Sequence, residues 1–287
     1  SRTESCVICE GRTTQIIDQA ALSDGFTFIN ENLLPVFHPA PPQTQGLPRI
    51  GTDNDLMGRS VGLHFVQWTS SRHDVDWPEL DDYDRRVVLD RLAALEQRLL
   101  SLPGFPAGQR YVSIIKNSGR LVGGSLDHPH QQIALSNVMP RRVRENLTFQ
   151  DEHRMTFSGY MLRDNPEELT VATLDTGRFL VPYFMRRPYN FLYVLRDVEP
   201  RYLHELSESQ RDDLARAIAT GMHLSMAALD MVGREAAFNI VFHTGPGAGI
   251  YLEFLPRTQE EGGFEQLGLS ACQSSPYLAA RALHDAL

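Results

Sequence analysis

The residues with the clearest chemical capacity are His128, His130 and Gln132, spaced by two at the end of the stretch Asn117–Gln132. In an extended segment that spacing turns all three side chains to one face. An imidazole that is neutral near pH 7 is both a nucleophile and a metal ligand, and an amide donates hydrogen bonds to oxyanions. Gly119, Gly123 and Gly124 stand just before them, and glycine lets backbone N–H groups approach phosphate oxygens. The arrangement describes a place for phosphoryl chemistry. A bare His-Pro-His is commonly only a turn. The full run Asn-Ser-Gly-Arg-Leu-Val-Gly-Gly-Ser-Leu-Asp-His-Pro-His-Gln-Gln is a longer pattern than a turn requires.

Three cysteines are present, Cys6 and Cys9 close together and Cys272 distant. The Cys-x-x-Cys spacing lets two thiolates reach one tetrahedral zinc ion. A thioredoxin-like redox pair shares the spacing but follows a strand, and no strand precedes Cys6. Without a second cysteine pair, a metal must draw its other ligands from histidines. His73, at a strand end, is a candidate, although taken singly it reads as a surface residue. Three cysteines make no disulfide framework and point to a reducing cytoplasm.

The elements that must position these residues follow from periodicity. Tyr111–Lys116 is apolar and β-branched, a strand feeding the glycine loop, and His128–Val138 is extended after it. Phe26–Pro35 is a short strand running into a turn, Pro39–Asn54 an exposed loop, and Gly62–Thr69 a second strand. Asp81–Leu100 repeats Val88, Leu92, Leu95 and Leu99 at helical steps, between Pro78 and Pro103-Gly104, and is an amphipathic helix. Pro140–Pro166 reads as a helix plus connector. A similar order then recurs: strand Tyr189–Leu195, a helix from the capping box Ser207-Glu-Ser-Gln210, strand Phe238–Phe242, glycine loop His243–Gly249 and strand Ile250–Leu255. The expectation is an α+β protein of two modules, 1–145 and 146–287, each an antiparallel sheet with helices packed on one side.

The 287 residues carry a net charge of −9, with 42% hydrophobic and 22% charged residues, the balance of an ordinary globular protein. That charge disfavours a nucleic-acid partner. No apolar run reaches the length needed to cross a bilayer, and Ser1–Gly11 has no signal-peptide core, so no membrane partner is expected.

Together, Asn117-x-Gly119, Gly123-Gly-Ser125 and His128-Pro-His130-x-Gln132 resemble the active-site signature of galactose-1-phosphate uridylyltransferases and their relatives, the ADP-glucose phosphorylases, in the histidine-triad superfamily. Cys6-x-x-Cys9, Arg72-His-Asp74 with Trp77-Pro-Glu79, Phe242-His-Thr-Gly-Pro246, Glu253-Phe-Leu-Pro-Arg257 and Gly263-Phe-Glu265 fall in the family's order, so the likeness spans nearly the whole chain. The resemblance implies two histidine-triad-like modules, and a homodimer whose active sites take residues from both subunits. It implies zinc held by Cys6, Cys9, His73 and His128. It implies that His130 attacks the α-phosphorus of a nucleotide sugar to give a nucleotidyl-histidine, which a phosphorylated acceptor then resolves. Gln132, Ser125 and Asn117 would hold the phosphate oxygens. Gly123, Gly124 and Glu265 would complete the substrate site, and Asn32 lies where the family contacts the nucleoside.

Several features depart from the family pattern. Only five residues precede Cys6, so the family's arginine-bearing phosphate clamp is not expected. Gly249-Ile-Tyr251 replaces a second histidine pair, so a second metal site is not expected, although His243 and Glu253 remain. Gln259-Glu-Glu261 stands where a basic residue would face the sugar phosphate, which directs the acceptor away from galactose 1-phosphate. Nucleotidyl transfer, phosphorolysis included, is the leading expectation. A metal with four protein ligands has no open position, which weighs against a hydrolase that activates water on the metal. The first alternative is a histidine-triad-type nucleotide hydrolase in which water accepts the nucleotide. The second alternative is a zinc-stabilised nucleotide-binding protein without turnover. His64, His153 and Arg186-Arg187 read as ordinary strand, helix and surface residues.

Overall fold

The computed structural model describes residues 6–39, 60–103, 105 and 110–287. The loop expected over Pro39–Asn54 lies, apart from Pro39, outside the described residues, as does Gly104.

Among the described residues, ten strands form one antiparallel sheet. They are β1 (Ile16–Ala21), β2 (Phe26–Glu31), β3 (Gly62–Trp68), β4 (Tyr111–Ser118), β5 (His130–Ser136), β6 (Thr170–Thr173), β7 (Gly177–Leu180), β8 (Phe191–Leu195), β9 (Phe238–His243) and β10 (Tyr251–Pro256). From one edge inward the order is β1-β2-β3-β5-β4, and from the other β6-β7-β8-β10-β9. The two orders are the same, and they meet where β4 pairs with β9, with Ile115 opposite Val241. The sheet is therefore continuous across the chain, whereas the sequence suggested a sheet for each half.

The long helices α1 (Asp82–Ser101) and α4 (Glu208–Met231) follow β3 and β8, the same place in each order. Both start where their caps dictate. Asp81 accepts from the Asp84 N–H, and Ser207 and Gln210 form the expected capping box. Successive strand residues face opposite ways. Ile114, Ile133, Ile240, Leu252 and Phe254 thus share a core with Leu89 and Leu92 of α1 and Leu214 and Ile218 of α4.

The other face of the sheet differs between the halves. Over the second half lie α2 (Arg141–His153) and α3 (Phe157–Asp164), and Met161 packs with Leu180, Leu192, Val194 and Tyr251. Helices therefore cover both faces there rather than one side. The segment read as one helix plus connector is two helices, parted at Arg154, whose φ of 58° ends the first, and restarted by the Thr156 cap. Over the first half, the described residues of that face include a small apolar cluster of Phe28, Val66 and Trp68, with Ile8 and Phe26 packed against it. His130 and Gln132 project on this face. Among the described residues, no helix is long and apolar enough to cross a membrane. Helix α5 (Pro276–His284) packs Leu283 into the main core.

Candidate active site

Strand β5 lies between β3 and β4, with His130 opposite Trp68, and with Gln132 opposite Val66 on one side and Ile115 on the other. The loop before it needs its glycines. Gly119 has φ 94°, and a Cβ there would lie 2.5 Å from the Ala236 oxygen. A Cβ on Gly124 would meet the Gly119 oxygen at 2.7 Å, the same oxygen that accepts the Gly124 N–H at 3.0 Å. The loop folds back onto itself more tightly than any side chain allows.

His130 is buried, and its Nδ1–H donates to the backbone oxygen of His128 at 2.8 Å. That bond fixes the tautomer and leaves the lone pair on Nε2. Burial, helped by the Lys116 charge and opposed by the His128 hydrogen bond, pulls the His130 pKa below the ordinary imidazole value. The ring is therefore neutral near pH 7, as a nitrogen nucleophile must be. Trp68 sits between the two histidines, its ring 5.4 Å from His128 and 5.1 Å from His130, and its Nε1–H donates to Asn30 at 2.5 Å.

The other sequence-predicted residues divide. Gln132 and Asn117 are present on β5 and β4, each with its amide oxygen taken: by His64 Nε2 at 3.0 Å and by Asn239 Nδ2 at 2.8 Å. Asn32 stands beside His64, its Nδ2 3.3 Å from both ring nitrogens. Gly123 and Ser125 are exposed on the loop. Glu265 accepts the N–H groups of Gly262 and Ala271, so its hydrogen bonds serve its own segment rather than the motif. Lys116, Asp76, Trp68, His64 and Asn239 are the contributors that the sequence reading missed.

Cys6, Cys9, His73 and His128 come together, with their ligand atoms within 4.8 Å of one another. His128 donates Nε2–H to the Ser70 oxygen at 2.8 Å, which leaves Nδ1 facing the thiols at 3.7 Å from each. His73 Nδ1 is 3.5 Å from Cys9. A tetrahedral zinc, with sulfur at about 2.3 Å and nitrogen at about 2.0 Å, sets sulfur-to-nitrogen edges of about 3.5 Å. The donor set, its spacing and the hydrogen bond behind His128 fit such an ion.

In the second half, Tyr251 pairs with His243, and their rings stack at 4.2 Å and 9°. His243 Nε2 is 3.1 Å from Glu253, which also takes Arg186 at 3.0 Å. Arg186 is thus engaged with a buried carboxylate and is not merely a surface residue. Burial pushes Glu253 up, but His243 and its other partners outweigh this and hold it below the usual carboxylate range. Any side chain at Gly249 would start 1.7 Å from the Ser158 hydroxyl. Helix α3 occupies the space that a histidine there would need.

Among known proteins, galactose-1-phosphate uridylyltransferase of Rattus norvegicus is 29% identical over 221 residues, 72% of this chain and 54% of the rat protein. ADP-glucose phosphorylase of Arabidopsis thaliana is 22% identical over 245 residues, 82% of this chain and 67% of that protein. The chain is a relative of both enzymes. It spans about half the length of the rat uridylyltransferase. No protein-family model matches the chain. The solved structure of an Arabidopsis thaliana ADP-glucose phosphorylase with bound ADP-glucose superposes with a TM-score of 0.77 at 17% identity, covering 98% of this chain and 89% of that one. A uridylyltransferase structure gives 0.74 at 21% identity, covering 91% and 85%. At these identities the structural likeness carries the fold: the large antiparallel sheet with helices is that of the uridylyltransferases and phosphorylases.

Proposed function

We propose that the chain is a nucleotidyltransferase that moves a nucleoside monophosphate from a nucleotide sugar to a sugar phosphate or to phosphate through a covalent bond to His130. The observation that carries this reading is the hydrogen bond from His130 Nδ1–H to the His128 oxygen, which leaves a neutral, buried ring with its Nε2 lone pair available.

In the first step, that lone pair attacks the α-phosphorus. A P–N bond forms as the P–O bond to the sugar phosphate breaks, and the leaving oxygen departs with the electron pair. In the second, an oxygen of the acceptor phosphate attacks the same phosphorus, and the P–N pair returns to Nε2. Each step is easier than a single direct transfer. The free NH2 groups of Gln132 and Asn117, with Ser125 on the loop that Gly123 and Gly124 shape, would stabilise charge on the phosphoryl oxygens as it develops. Asn32 would meet the nucleoside and Glu265 the sugar. Cys6, Cys9, His73 and His128 would hold zinc, which when bound braces the turn ahead of β5. The same reading takes residues 1–145 and 146–287 as two histidine-triad-like modules, supported by the repeated strand order. It takes the protein as cytoplasmic, in keeping with three free thiols, and as a homodimer, as the family resemblance implies.

The test is an intact-mass spectrum after incubation with UDP-, ADP- and GDP-sugars and no acceptor. A gain of one nucleoside monophosphate, absent in His130→Ala, is expected and names the base. Release of free nucleotide without an adduct would favour a hydrolase; binding without either would favour a binding protein.

A further inference from the structure

A primary amide beside a phosphate can face either way. With NH2 outward it donates to a phosphate oxygen; with its own oxygen outward it repels one. At this site both amides are set by hydrogen-bond relays that begin at backbone groups, whose donor or acceptor role is invariant.

The first relay begins at Val36, whose backbone N–H donates to His64 Nδ1 at 3.2 Å. Nδ1 is therefore the acceptor, and a neutral His64 carries its proton on Nε2. Nε2 lies 3.0 Å from Gln132 Oε1 and donates to it. The NH2 of Gln132 is left for another partner. Burial holds His64 in the neutral form that this relay needs, pulling its pKa below the ordinary imidazole value.

The second relay begins at the Val122 oxygen, which accepts from Asn239 Nδ2 at 3.0 Å. The same nitrogen has one hydrogen more, and it meets Asn117 Oδ1 at 2.8 Å. The NH2 of Asn117 is again left free. The two relays come from β3 and β9, on either side of the β5–β4 pair that carries the amides.

We propose that His64 and Asn239 are positioning residues that turn the NH2 groups of Gln132 and Asn117 toward a bound phosphoryl group. This rests on the nucleotidyl-transfer reading for its function, though not for its geometry. The decisive comparison is His64→Gln against His64→Leu. A glutamine Nε2 keeps a donor near the imidazole Nε2, whereas leucine offers none. Nucleotidyl-enzyme formation should stay within about threefold of wild type in His64→Gln and fall about 10- to 100-fold in His64→Leu. Asn239→Asp, which cannot donate to Val122 or Asn117, should show a similar loss, and it serves if His64→Leu does not fold. His64→Leu should add nothing in a Gln132→Ala background, the non-additivity of residues acting through one another. Equal rates in the two His64 variants, or additive losses, would overturn the proposal.

Should no nucleotide sugar label the wild type, the transfer reading falls and the relays are decided by binding and spectroscopy. Inorganic phosphate should bind the wild type and bind about tenfold more weakly to His64→Leu, and the 15N spectrum should show His64 as the Nε2–H tautomer. A wild type that does not bind phosphate, equal phosphate binding in the two proteins, or an Nδ1–H tautomer overturns the proposal.

Discussion

The ammonium of Lys116 lies 2.7 Å from the Asp76 carboxylate, and the same Nζ donates to the backbone oxygen of His130 at 3.2 Å. Lys116 is 2% exposed, so its charge has almost no water to solvate it. Asp76 also accepts the Trp77 N–H at 2.9 Å. One ion pair thus ties β4, the turn at Trp77 and the start of β5 together.

Asp76→Asn separates these duties, since an amide oxygen still caps Trp77 while the charge is gone. It strands a buried ammonium, a change that costs about 3 kcal/mol. Urea unfolding should show that loss, and Lys116→Met added to Asp76→Asn should recover part of it. A loss well under about 1 kcal/mol would mean that water reaches Lys116 after all.

Zinc should be found at about one ion per chain by elemental analysis. Cys6→Ser should lose both the ion and folding stability, because metal binding to a site that the unfolded chain lacks is folding free energy. A stable, monodisperse protein without metal would remove the assignment of Cys6, Cys9, His73 and His128.

His130→Ala should form no nucleotidyl adduct, while its metal content and melting temperature stay close to wild type. The side chain makes one hydrogen bond, to its own neighbourhood at the His128 oxygen, and its loss should leave the strand pairing intact. Adduct formation in this variant would put the nucleophile elsewhere.

Acid should weaken the fold partly through His64. Its pKa is lowered by burial, against a hydrogen bond with Gln132 that raises it. The unfolded chain takes up a proton near pH 6.5 that the folded chain refuses. The contribution is therefore complete above about pH 6.5 and is lost as pH falls toward the lowered folded value. The urea midpoint should drop between about pH 7 and pH 5.5, and less steeply in His64→Gln. The same slope in both proteins would contradict this.

Much of the frame was legible because its signals are local. The caps at Asp81 and Ser207 and the apolar spacing of α1 and α4 lie within single helices, and His128–Gln132 lies within one turn and strand. β1 was not legible: its burial alternates poorly along Ile16–Ala21, with three exposed positions and no fully buried one. β6 and β7 have four residues each, too short for a period to show. The relay residues escaped for another reason. Asn239 meets Asn117 across 122 positions, and His64 meets Gln132 across 68. Nothing in a neighbouring residue announces such a partner; strand order creates it. Arg186 was misjudged for the same cause, since its partner Glu253 lies on β10.

The pairing of β4 with β9 runs through the middle of the sheet, from Ile114 opposite Phe242 to Ser118 opposite Phe238. Each of these strands would be a raw edge if the chain were cut between its halves, and exposed edges recruit other chains. Separate expression of either half should therefore give aggregates, and the intact protein should melt in one transition. The seam that brings Asn239 to Asn117 is also the mechanical keystone: the strand that carries Asn239 to one side of the candidate site is the one whose departure would split the molecule. Sequence drift in the second half is constrained by that seam, whatever happens to its own chemistry.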